Sequence, residues 1–169
     1  MYELRYADQA MNTWTVLRQT WTAVNKWAEV KLGKVGLTPE KAAVLWLCRD
    51  YPGTLTPAEI ARMLFRENQT IAGLLNRMEK EGLLKRVPKR KGHPFTEVKM
   101  TEKGKKLCDP GVAIYKTVIQ SFASDLSEGD QKELQRLLSV IRKKMMDEMH
   151  IESETPSVYP ADQPIPLIW

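Results

Sequence analysis

Cysteine and histidine are nearly absent from this chain of 169 residues, at two each, and that scarcity removes whole classes of chemistry. Cys48 and Cys108 fall inside helical patterns without CxxC spacing, and a reducing compartment gives no reason to pair them. They read as core cysteines, since nothing in the local sequence marks either as an activated thiolate that could sense oxidants. His93 sits in a turn and His150 near the end of a helix, so no metal-ligand spacing forms. There is no glycine-rich phosphate loop and no nucleophile elbow. A protein without cofactor, metal or enzymatic activity is expected. Long apolar runs are missing too: Ala42 to Cys48 is the longest, far short of the roughly 20 residues that span a bilayer. Met1 to Ala10 carries Glu3, Arg5 and Asp8 where a signal peptide would need an apolar stretch, so no membrane partner is expected and the cytoplasm is the expected compartment.

What is present suffices for a core. Hydrophobic residues make up 43% and charged residues 28%, which suits one compact domain with an added dimerising layer rather than two large domains. The net charge of +5 is unevenly placed. From Lys85 to Lys106 nine basic residues face only Glu97 and Glu102, a local balance of +7 that leaves the remainder slightly acidic.

Apolar residues at Met11, Trp14, Leu17, Trp21, Val24 and Ala28 alternate by three and four, predicting a long first helix between Asp8 and Lys34. Thr38 as cap with Pro39 at the first helical position opens a second helix, which Tyr51-Pro52-Gly53 stops. Thr56-Pro57-Ala58-Glu59 predicts a reciprocal capping box on a short third helix through Ile60, Ala61 and Leu64. Asn68 is the expected cap of a fourth helix over about Gln69 to Glu81, its inner face Ile71, Leu74, Leu75 and Met78, with Gly82 in a left-handed position at its end. Two short strands follow, Leu83 to Val87 and Phe95 to Met100, around a turn from Pro88 to Pro94. A fifth helix from Thr101 is expected to break or kink at Asp109-Pro110. Ser127-Glu128-Gly129-Asp130 caps a sixth, with Leu134, Leu137, Leu138, Ile141, Met145 and Met149 along one side. Beyond Ile151 the periodicity stops. The four prolines from Pro156 to Pro166 lower the entropy lost on docking, and the cluster Ile165, Leu167, Ile168 and Trp169 has apolar area to bury, so the tail is expected to lie as an extended strap on the dimerising helices.

The fold class expected is therefore mainly α with a small β-hairpin wing: a winged helix-turn-helix over residues 36–104, dimerisation helices from residues 1–35 and 105–150, and a proline-rich tail over residues 151–169. In that layout the fourth helix enters a major groove of double-stranded DNA and the hairpin reaches phosphates or the adjacent minor groove. Gln69, Thr70, Gly73, Asn76 and Arg77 lie opposite the apolar face and are small or hydrogen-bonding, so they are the candidates for reading base edges. Lys89, Arg90, Lys91 and His93 form the basic turn. Unneutralised they repel one another, whereas on DNA each phosphate contact releases counterions, so they are the candidates for gripping. The competing reading is a winged-helix module for protein contact, its wing facing an acidic partner. The stripes Trp14, Leu17, Trp21 and Leu134, Leu138, Ile141, Met145 are large and apolar at the chain ends, and a second copy would cover them.

Three stretches carry a resemblance to the MarR family of transcriptional regulators. They are Gly36-Leu37-Thr38-Pro39-Glu40, Asn68-Gln69-Thr70-Ile71 with Leu75 to Leu83, and Met100-Thr101-Glu102-Lys103-Gly104. The resemblance spans about residues 8 to 148 and implies a homodimer on a pseudo-palindromic operator, most often as a repressor. It also implies a cleft for a small aromatic or phenolic effector, for which Trp14, Trp21 and Trp46 are the candidates. The chain departs from the family in its wing: Lys89-Arg90-Lys91-Gly92-His93-Pro94-Phe95 contains no aspartate, which puts an internal Asp-Arg pair there in doubt.

Overall fold

The computed structural model describes residues 2–88 and 95–152. In chain order it holds α1 (Gln9–Gly33), α2 (Pro39–Asp50), α3 (Pro57–Met63), α4 (Asn68–Lys80), β1 (Leu84–Pro88), β2 (Phe95–Met100), α5 (Glu102–Ala123) and α6 (Glu128–Glu148). This is the expected mainly helical chain with one antiparallel hairpin, in which Leu84 faces Met100 and Arg86 faces Val98.

Side-chain caps set most helix starts. Asp8, Thr38, Thr56 and Thr101 each accept a hydrogen bond from the backbone N–H three residues on. Ser127 and Asp130 complete a reciprocal capping box at α6. Three expectations need correction. At α3 only half of the box forms, because the Glu59 carboxylate turns to Tyr51 Oη (3.1 Å) and Arg62 (3.0 Å). At α4 the extended cap residue is Glu67, without a side-chain cap bond, and Asn68 is already helical. α5 does not break at Pro110: it runs 22 residues with the proline inside. Buried Cys108, Gly111 and Val112 pin that stretch against the core, and Gly111 lies so close to α2's leader that an added Cβ would meet Leu37 Cδ1 at 2.8 Å. Tertiary packing here outweighs the lost backbone donor.

The core is built around α2, whose six residues Ala42 to Leu47 are all buried because α1, α5 and β2 pack around it. Ile60 and Ala61 of α3, the inner face of α4 and Leu84 and Val98 of the hairpin close the cluster. Val98 N–H also donates to the Leu55 carbonyl at 2.8 Å, which fastens the hairpin to the segment before α3. α6 is different: none of its residues is buried. The sequence-derived tail cluster Ile165, Leu167, Ile168 and Trp169 lies outside the described residues, as do the wing-tip residues Lys89, Arg90, Lys91 and His93.

Candidate nucleic-acid interface

α4 shows two chemically separate faces. Ile71, Leu74, Leu75 and Met78 are buried, while Gln69, Thr70, Asn76 and Arg77 are exposed and Gly73 is half-buried between them. The polar candidates thus share one outward face, and no bulky apolar side chain interrupts it.

The hairpin's placement relative to α4 is fixed by bonds that sequence reasoning missed. Gly82, at φ +71°, ends α4 in the left-handed region, with its N–H on Glu79 O and Leu83 N–H on Met78 O, both at 2.9 Å. Across that turn the Glu79 carboxylate accepts from Arg86 Nη2 (2.6 Å), Nε (3.0 Å) and backbone N (3.0 Å). The Arg86 side chain, then its backbone N–H, hold the Glu79 carboxyl below its usual range. The sequence signal was available: an arginine on the first strand, seven residues after a glutamate in the last turn of α4. It supplies an ion pair on the strand itself, between α4 and the hairpin.

A second clamp comes from α5. Thr101 Oγ1 donates to Gly82 O at 2.6 Å, Thr101 N–H to Leu83 O at 3.1 Å, and Lys103 Nζ to Glu81 O at 2.8 Å. Lys41 Nζ meets both Glu81 carboxylate oxygens at 2.7 Å. Gly104 permits this approach, because an added Cβ would stand 2.0 Å from Leu83 O. Two of the three stretches that carried the resemblance, the end of α4 through Leu83 and Met100 to Gly104, meet at this junction.

The tryptophans do not gather in one place. Trp46 is 1% exposed, its Nε1–H donates to Asp50 Oδ2 at 2.6 Å, and its ring meets Tyr115 edge-on at 6.3 Å between centroids. Trp14 and Trp21 are instead 63% and 61% exposed on α1. A groove of about 410 Å³ lies between the end of α5 and α6, lined by Phe122, Leu126, Leu134 and Leu138 among others, not by these tryptophans. Leu17 and Leu134 are half-buried and Leu138, Ile141 and Met145 exposed, so the two expected stripes lie open on a single chain. Burial pushes the Cys48 thiol up to about 12, with a smaller push from Cys108, and burial raises Cys108 as well. Among the described residues no group of three His, Cys, Asp or Glu could hold a metal ion, and no helix is long and apolar enough to cross a membrane.

A short capped helix, a turn, a two-faced helix and a hairpin clamped to it define a winged helix-turn-helix protein. Residues 35–93 match the MarR family model. The match is confined to that segment, while the fold of the chain as a whole is shared with several solved structures. The Staphylococcus aureus MepR–DNA complex superimposes with a TM-score of 0.72 at 22% identity, over 82% of this chain and 99% of that one. The organohalide-sensing regulator RdhR in its 2,4-dichlorophenol-bound form gives 0.77 at 20% identity, over 95% and 98%. A probable transcriptional regulator from Pseudomonas aeruginosa gives 0.67 at 24% identity, over 81% and 99%. No curated protein matches the chain.

Proposed function

We propose that this protein is a homodimeric, sequence-specific DNA-binding repressor of transcription that acts on a pseudo-palindromic operator. The observation that carries the reading is the exposed polar face of α4 beside a hairpin locked to it by Arg86 and Glu79 and continued by the basic turn. Gln69, Thr70, Gly73, Asn76 and Arg77 read base edges, while Lys89, Arg90, Lys91 and His93 grip backbone or minor groove. MepR, which shares the fold, is seen on DNA. Residues 36–104 serve as the DNA-binding lobe. Residues 1–35 and 105–150 dimerise through Trp14, Leu17, Trp21, Leu134, Leu138, Ile141 and Met145, which gives the open apolar stripes a cover. A small aromatic effector that releases DNA is part of the reading. RdhR has a form with a bound chlorophenol, and here Trp14 and Trp21 offer the aromatic surface once a second copy roofs α1. Trp46, committed to the core, leaves that set of candidates.

Selection of bound sequences from random duplex DNA tests the reading. Two half-sites related by a dyad, with centres about 10 base pairs or a multiple apart, are expected. The selected site placed across a promoter should lower transcription from it. No enrichment over the starting pool would overturn the proposal.

A further inference from the structure

The turn between α3 and α4 holds an aromatic residue that belongs neither to the core nor to the polar face of α4. α3 ends in a Schellman arrangement, with Phe65 N–H on Arg62 O (3.1 Å) and Arg66 N–H on Ala61 O (2.9 Å). The residue between those bonds adopts the left-handed conformation that glycine usually fills, yet it is Phe65, at φ +50°. Its ring does not compensate by packing. Phe65 is 61% exposed and takes no part in the buried core, although Leu64 beside it packs against that core. The exposed neighbours are Arg62 and Arg66, and Gln69, the first reading candidate, follows four residues on. An uncovered aromatic ring, held by a left-handed cap between two cations at the leading end of a polar reading face, is placed to meet an apolar feature of a base edge. In the major groove the apolar feature of a base edge is the C5-methyl of thymine.

We propose that Phe65 is a specificity-determining residue that packs on a thymine methyl at the outer edge of each half-site. The proposal rests on the DNA-binding reading above. The recognition helix of a helix-turn-helix meets bases with its N-terminal residues, so the turn before it stands at the groove edge. Arg66 fits a phosphate beside that step, with Arg62, paired to Glu59 at 3.0 Å, next to it, and the ring adds the apolar contact that Gln69, Thr70, Asn76 and Arg77 cannot make.

The test uses the selected operator with each thymine replaced singly by deoxyuridine, which removes only the methyl. Wild type, Phe65→Ala and Phe65→Gly are titrated on every duplex, and melting curves check that both variants are folded; Phe65→Gly also keeps the left-handed cap unstrained. At one thymine per half-site, deoxyuridine should weaken wild-type binding by about three- to fivefold, the worth of one buried methyl. Neither variant should lose anything further there, while penalties at other thymines stay the same in all three proteins. Equal penalties in wild type and both variants at every thymine would overturn the role of Phe65 while leaving the DNA-binding reading intact. A protein that selects no sequence at all removes both.

Discussion

At Gly104 the absence of a side chain sets the geometry of the whole junction. A methyl group there would collide with the Leu83 carbonyl oxygen, a backbone atom that cannot rotate aside. Gly104→Ala is therefore expected to destabilise the fold by about 1–3 kcal/mol, read as a lower denaturation midpoint in urea. Glu79 makes a different kind of prediction. Its folded-state acidity is stronger than the ordinary glutamate value, so the ionised form is favoured by folding. The stabilisation is present above that value and is lost as pH falls below it towards the folded one. The wild type should lose stability over that window more steeply than Glu79→Gln, as followed by denaturant midpoints between pH 6 and pH 3. Identical pH profiles would mean the Arg86 bond contributes nothing measurable.

Under the proposed DNA-binding function, α4 and the hairpin are expected to divide the work between reading and gripping. Asn76→Ala should cost about 1–3 kcal/mol on the preferred sequence and relax preference at particular base pairs. Lys91→Ala should weaken all duplexes alike and flatten the salt dependence by about one charge. Competition titrations across a set of single-base operator variants, repeated at several salt concentrations, separate the two effects. These elements were legible because capping residues and apolar periodicity are local signals: Thr38-Pro39, Thr56-Pro57 and Gly82 all lie where their types predict. The corrections at α3 and α5 share a cause, namely partners outside the local sequence pattern. Tyr51 draws Glu59 away from its cap, and Leu37 and Ala42 hold α5 together across Pro110. The Arg86–Glu79 lock left only a weak signal, an opposite charge seven residues away across a turn, which stands outside any helical or strand periodicity. Trp46 misled because aromatic type alone does not tell core from cleft.

The chain combines a packed winged helix with two helices, α1 and α6, that leave large apolar residues open. α6 has no buried residue, and Trp14 and Trp21 stand open on α1. Burying each such large side chain against a second copy is worth roughly 1.5–3 kcal/mol, so several together support a tight dimer. Sedimentation at low micromolar concentration should show a dimer for the wild type and a shift towards monomer for Ile141→Glu. A folded wild-type monomer under those conditions would contradict the dimer. Whether the proposed dimer reads sequence or merely adheres to a polyanion is decided by one comparison. The selected operator and a scrambled duplex of the same length and composition are titrated side by side at physiological salt. The operator should bind at least about a thousandfold more tightly. Equal affinity for the two duplexes, or no affinity for either even at low salt, would contradict the account.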